Sequence, residues 1–218
     1  MIMRWPIMLT LGLVMLLLSL DDAAAANSHS VKQKFGSLEE AATHARDVIR
    51  QFKDEIHLKE LGFGSTADAS NSELGAPFRV YRVGLNRLAS YQPNQDPETL
   101  LTDTQRTLIP VSVGGEVRSS VSVTKAKNQD GWKISKRGSP NLIRLLQRFR
   151  KANTNFVVWI PALGMRFLGD RKDGQLRLTS LEDVPRFGFK AGQELPAVNI
   201  FAKLIAEAKA TLQDDLPR

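Results

Sequence analysis

The centre of the chain is built on a two-residue period broken by glycine pairs, and this limits its fold more than any other feature. Thr107–Val113 and Glu116–Lys125 are rich in β-forming residues and are parted by Gly114-Gly115. Both glycines tolerate positive φ, which a tight two-residue hairpin requires. Within the second segment Val117, Ser119, Val121 and Val123 fall on one face, and Arg118, Ser120, Ser122 and Thr124 on the other. That alternation predicts a sheet with one buried and one solvated side. Asn128-Gln129-Asp130-Gly131 then turns the chain into a third strand, Trp132–Lys136. A meander of this kind needs other elements to cover its apolar face.

Helical periodicity supplies them. Ser37-Leu38-Glu39-Glu40 has a capping serine with glutamate three positions on. Leu38, Ala41, Ala42, Ala45, Val48, Ile49, Phe52 and Ile56 share one arc of a helical wheel, predicting a helix from Ser37 to about His57. Ser139-Pro140 opens a second helix, Pro140–Lys151, with serine as cap and proline at the first helical position. A third, Ala197–Leu212, aligns Val198, Phe201, Leu204, Ile205, Ala208 and Leu212.

Further strands are expected at Pro77–Val83, at the fully apolar Asn155–Ile160, and in a hairpin of Leu163–Leu168 with Gln175–Leu181. Leu85–Tyr91 reads as a short helical turn. Gly64–Ala76 and Gln92–Pro97 read as loops, and Pro185–Pro196 as a linker. The order is helix, strand, three-strand meander, helix, three strands, helix. It predicts an α+β fold in which antiparallel meander sheets pack against three helices on one face, with a cystatin-like or similarly curved sheet as the expected architecture.

The N-terminus stands apart from this fold. Arg4 precedes the apolar run Ile7–Leu20, and Asp21-Asp22-Ala23-Ala24-Ala25-Ala26 follows. A basic start, an apolar core too short for the ~20 residues of a spanning helix, and small residues at the −3 and −1 positions mark a secretory signal peptide. Ala23/Ala25 and Ala24/Ala26 both satisfy the cleavage rule, and cleavage after Ala26 is preferred. The expected organisation is a cleaved signal over 1–26, a flexible leader over 27–36, one α+β domain over 37–213 and a tail over 214–218. No later stretch approaches spanning length, so a soluble exported protein, periplasmic or extracellular, is expected.

Removing 1–26 leaves 29 basic and 21 acidic residues, a net charge of +8. Outside the cytoplasm such a charge favours phospholipid headgroups, anionic polymers or an acidic envelope protein over nucleic acid. With no cysteine in the chain, disulfides, thiol nucleophiles, Cys-ligated zinc and iron–sulfur clusters are excluded. An exported chain without disulfides points to a bacterial envelope.

Few patterns carry chemistry. Only His29, His44 and His57 are present. Glu40 and His44 are one helical turn apart, but no third ligand accompanies them, so a surface pair and no metal is expected. Asp170-Arg171-Lys172-Asp173-Gly174 places cations where a calcium loop needs carboxylates and reads as a hairpin turn. No Gly-x-Ser-x-Gly elbow and no phosphate-binding glycine loop is present. Catalytic residues are not identified, and no cofactor is expected.

The most suggestive pattern lies on the second helix. Arg144, Arg148 and Lys151 fall opposite the apolar arc of Leu142, Ile143, Leu145, Leu146 and Phe149, and Lys133, Lys136 and Arg137 add basic charge upstream. Together they form a candidate anion- or partner-binding patch, although cations near a helix C-terminus also favour the helix itself. Phe187 and Phe189, with Trp159–Leu163, raise an aromatic cleft, against which stands simple burial of the phenylalanines.

Leu61-Gly62-Phe63-Gly64, Arg79–Val83, Gly115–Ser120 and the Gly138–Ile143 helix start resemble segments of a family of uncharacterised exported bacterial proteins. The resemblance covers most of the chain after residue 26. It implies export and no particular activity. The reading that follows is an exported, non-enzymatic binding protein of the bacterial envelope, contacting an anionic surface or partner through a basic helix face. The alternative is a hydrolase without a recognisable motif.

Overall fold

The computed structural model describes residues 34–126 and 131–214. The signal-peptide, leader and tail assignments, together with His29, lie wholly or mostly outside them.

Six α-helices and nine strands form among the described residues. In chain order they are α1 Leu38–Gln51, α2 Glu55–Glu60, α3 Thr66–Ser70, β1 Glu73–Leu74, β2 Phe78–Val83, α4 Leu85–Ala89, β3 Leu101–Val113, β4 Glu116–Lys125 and β5 Trp132–Arg137. Then come α5 Pro140–Phe149, β6 Phe156–Ile160, β7 Met165–Lys172, β8 Gln175–Ser180, β9 Glu194–Pro196 and α6 Ala197–Asp214. All strands belong to one open sheet of order β5-β4-β3-β2-β6-β7-β8-β9, and β1 also pairs with β3. Every pairing is antiparallel except β2 with β6, which is parallel.

Three helices were expected and six form. The first expected helix breaks because Asp54 recaps the chain: its carboxylate accepts from Ile56 N at 2.8 Å and opens α2. The new phase buries Leu58 and leaves Ile56 70% exposed, where one continuous helix would have placed Ile56 on the core face. At the front of α1, Ser37 Oγ accepts from Glu40 N at 3.0 Å, while Glu40 reaches Gly36 N at 2.8 Å rather than the amide of Ser37. Ser139 makes no capping bond, so Pro140 alone marks the start of α5.

The expected loop Gly64–Ala76 contains α3 and β1, and the expected linker Pro185–Pro196 ends in β9. β3 begins at Leu101, well before Thr107, and pairs with β2 across an irregularity at Thr104-Gln105, where Gln105 takes φ 57°. Gly114 and Gly115 adopt φ 57° and 82°, closing the β3–β4 hairpin as the sequence predicts.

Register fixes which element covers which side. In β2, Phe78 and Val80 pair with Leu108 and Arg106 on β3, and Val80 pairs with Val157 on β6. These apolar residues pack with Ile143, Leu146 and Leu168 under α5. The alternate residues Tyr81, Val83, Phe156, Val158, Ile160, Met165, Phe167 and Leu178 face the other way, against α6 and α4. On that same second side, Ile109, Val111, Val121 and Val123 pack against α1 to α3. Helices therefore flank both faces, not one, and the cystatin-like detail finds no support.

The wet face expected for β4 is covered too. Ser119 to Val123 are all buried, with α1 over the valines and α5 over Ser120 and Ser122. Serines present little bulk, which lets a helix approach the sheet closely. A bulge at Val111/Ser112, with Arg118 as the extra residue, turns Val117 to the α5 side.

Candidate anion-binding face

The side of the sheet that carries α5 is rich in cations. The six residues singled out from sequence do not all meet there. Arg144 and Arg148 project from the exposed side of α5, opposite the buried Ile143 and Leu146. Arg144 folds back on its own helix, donating to Pro140 O and Asn141 Oδ1 at 3.1 Å each. The Arg148 guanidinium lies 5.4 Å from the Phe149 ring centroid. Lys151 is committed to Glu194, with Nζ and Oε2 2.5 Å apart, and Arg177 donates to the other oxygen of the same carboxylate at 2.6 Å. These two cations hold the Glu194 carboxyl below its ordinary pKa.

Lys133 and Lys136 are exposed on the edge strand β5. They pair with Thr124 and Ser122, which places them on the α5 side. Arg137 pairs with Val121 and so turns to the opposite face, where burial lowers its pKa. The sequence patch thus divides: Lys133, Lys136, Arg144 and Arg148 share a side, Lys151 is in an ion pair, and Arg137 points away.

Sequence reasoning missed Arg82, Arg106 and Arg166. Arg82 sits beside Trp159 across the β2–β6 pairing, and Trp159 sits opposite Arg166 across the β6–β7 pairing. The Arg166 guanidinium is 5.8 Å from the Trp159 ring centroid. Arg106, pairing with Val80 on the same side, donates from Nη2 to Ser122 Oγ at 3.0 Å, while its Nε is buried with no acceptor. Burial and the charge of Arg166 both pull the pKa of Arg106 downward. Among the described residues none of these three arginines forms an ion pair. The alternation Phe78, Val80, Arg82 signals one of them in the sequence. The other two need the strand order, which joins β3 and β7 across β2 and β6.

Beside α5 opens a cleft of about 320 Å³, walled by Leu142, Leu145, Leu163, Leu181 and Val184, with Arg166 among its lining residues. Ser180, Glu182 and Asp183 line its far side. Asp183 is occupied by the amide of Ala191 at 2.8 Å, and the Ser180 hydroxyl donates to Glu182 O at 2.7 Å. The aromatic cleft does not form: Phe189 is buried against Phe167 and α6, and Phe187 packs beside it.

The histidine environments are simple. His44 packs on the Phe35 ring at 5.0 Å, and Glu40 is engaged with Gly36, so they do not pair. His57 Nδ1 meets Asp54 Oδ2 at 2.8 Å on the surface. No group of three or more histidine or carboxylate side chains suited to a metal occurs among the described residues. No helix there is long and apolar enough to cross a membrane.

Fold and site together define a mixed α/β chain whose single sheet presents a basic face beside one amphipathic helix. No family model, no curated protein and no solved structure matches it.

Proposed function

We propose that this chain is an exported, non-enzymatic binding protein of a bacterial envelope that engages an anionic surface, such as lipid headgroups, an anionic polymer or an acidic envelope protein, through its α5 side. One observation carries the reading. Arg82, Arg106, Arg144, Arg148, Arg166, Lys133 and Lys136 lie on one side of the sheet, and none forms an ion pair among the described residues. Elsewhere some cations are neutralised, as with Arg171 on Glu98 and Arg186 on Glu207, while others such as Arg79, Arg87 and Lys209 stand singly. It is the clustering on one side and not the lack of partners that sets these seven apart. A cluster of cations attracts polyanions over roughly a Debye length, about 10 Å at 0.1 M salt. The N-terminal signal pattern supports export.

The test is co-sedimentation with vesicles of phosphatidylcholine containing phosphatidylglycerol. Reversing Arg144 and Arg148 to Glu leaves the circular dichroism spectrum and melting temperature unchanged, because both side chains are exposed, and abolishes vesicle binding. A double variant that binds as well as the wild type overturns the reading.

A further inference from the structure

Of the strand arginines that form no ion pair among the described residues, Arg82, Arg106 and Arg166 share the α5 side, while Arg79 and Arg137 face the other way. Arg82 on β2 and Arg166 on β7 flank Trp159 on β6 in a single cross-strand row. Arg106 lies on the adjoining row, next to Val80. Its side chain is half-buried and anchored at one end by Ser122, with Nε shut away from water and given no acceptor. Burying a cationic donor without a partner costs free energy, and a second cation near enough to disfavour its charge adds to that cost. In an unoccupied surface patch, carboxylates or solvent would remove the penalty. Nε itself is closed to any ligand, as it is in Arg50, Arg118 and Arg137, but an anion held at the outer ends of the Arg82, Arg106 and Arg166 side chains would offset their mutual repulsion.

The complement follows from the donors. A carboxylate has two oxygens and one charge, which a single guanidinium fork satisfies. Three guanidinium groups on three strands offer more donors and more charge than that, and they match a tetrahedral group with three free oxygens and up to two charges. The indole of Trp159 gives the site a flat apolar floor between Arg82 and Arg166.

We propose that Arg82, Arg106 and Arg166, arranged about Trp159, form a binding site for a phosphoryl group. This deepens the anionic-surface reading, because the site opens on the α5 side. It also differs from that reading, because it requires defined residues rather than net charge. A free phosphate would use the arginines alone. A lipid phosphate could also lay its apolar portion along the cleft beside Leu142 and Leu145, which Arg166 borders.

The full chain, titrated with inorganic phosphate at constant ionic strength, reports binding through the fluorescence of Trp159 in a Trp5→Phe/Trp132→Phe background. Vesicles of phosphatidylcholine with phosphatidic acid form the second arm. Saturable binding in either arm that weakens roughly tenfold or more in Arg106→Gln and in Arg166→Gln supports the site. Binding of phosphate alone assigns a free phosphate, and binding of the vesicles alone assigns a lipid headgroup. Arg82 and Arg166 are exposed, so Arg82→Gln and Arg166→Gln keep the test informative if Arg106→Gln fails to fold. No saturable signal in either arm, or variants that bind like the wild type, overturns the proposal. Vesicle binding that survives these substitutions but is lost in the Arg144→Glu/Arg148→Glu double variant overturns the phosphoryl site and leaves the surface reading standing.

Discussion

Glu194 accepts from Lys151, 43 positions away, and from Arg177, 17 positions away, and so joins β8, β9 and the end of α5. Its carboxyl is held below the ordinary value by these two donors, so the folded state favours the charged form. The resulting contribution to stability is fully present above the unfolded glutamate value of about 4.3, and is lost as pH falls from there through the folded value. Glu194→Gln should therefore flatten the acid limb of a plot of melting temperature against pH, and change it least below pH ~3. A variant whose acid limb matches that of the wild type would remove Glu194 from the account. At the same scale, Arg150 shows why a cation beside an apolar arc is not automatically a ligand contact. Its guanidinium lies 4.1 Å from the Phe78 ring centroid and donates to Ala76 O at 2.7 Å, tying the end of α5 to the start of β2.

Elements follow local sequence where their signals are local. The β3–β4 hairpin, the β7–β8 turn and the cores of α1, α5 and α6 form where period and turn chemistry place them. The break after Gln51 is also encoded locally, by Asp54, but the apolar spacing of Phe52 and Ile56 masks it. This gives a direct test. Ile56→Ala should change stability by less than ~0.5 kcal/mol, whereas Leu58→Ala should cost about 2–5 kcal/mol, both read from urea unfolding. Equal effects would mean that α1 continues through residue 56. Gly169 illustrates the opposite case, in which a plain glycine has a tertiary cause: an added Cβ would come within 2.4 Å of the Phe156 ring, its direct cross-strand partner. Nothing in the neighbouring sequence predicts that contact.

In the molecule as a whole, the parallel β2–β6 pairing joins the strands that precede α5 to those that follow it, and α5 packs across the junction on Phe78, Val80, Val157 and Leu168. Trp132 on the edge strand β5 and Trp159 on β6 report the two sides of this junction. Single-tryptophan variants, Trp5→Phe/Trp132→Phe and Trp5→Phe/Trp159→Phe, should unfold with coincident midpoints, because the sheet is continuous and its core layers share strands. Leu146→Ala should lower both midpoints together, by about 2–5 kcal/mol in stability. Separated transitions would show that the two sides of the junction fold independently.

The sequence alone determined the elements whose causes lie within a few residues: capping at Ser37, the proline start of α5, the Gly114-Gly115 turn, and the alternation of β2. It also marked the basic character of α5. The tertiary structure decided what depends on distant partners. Strand order placed α5 on one side and α1 to α4 with α6 on the other, burying a face of β4 that alternation alone assigns to water. It paired Lys151 with Glu194, turned Arg137 away, and brought Arg82, Arg106 and Arg166 onto one side around Trp159. Periodicity encodes which residues of a strand share a face, but the identity of the neighbouring strand is set by packing across the whole sheet, and that choice decides which charges meet.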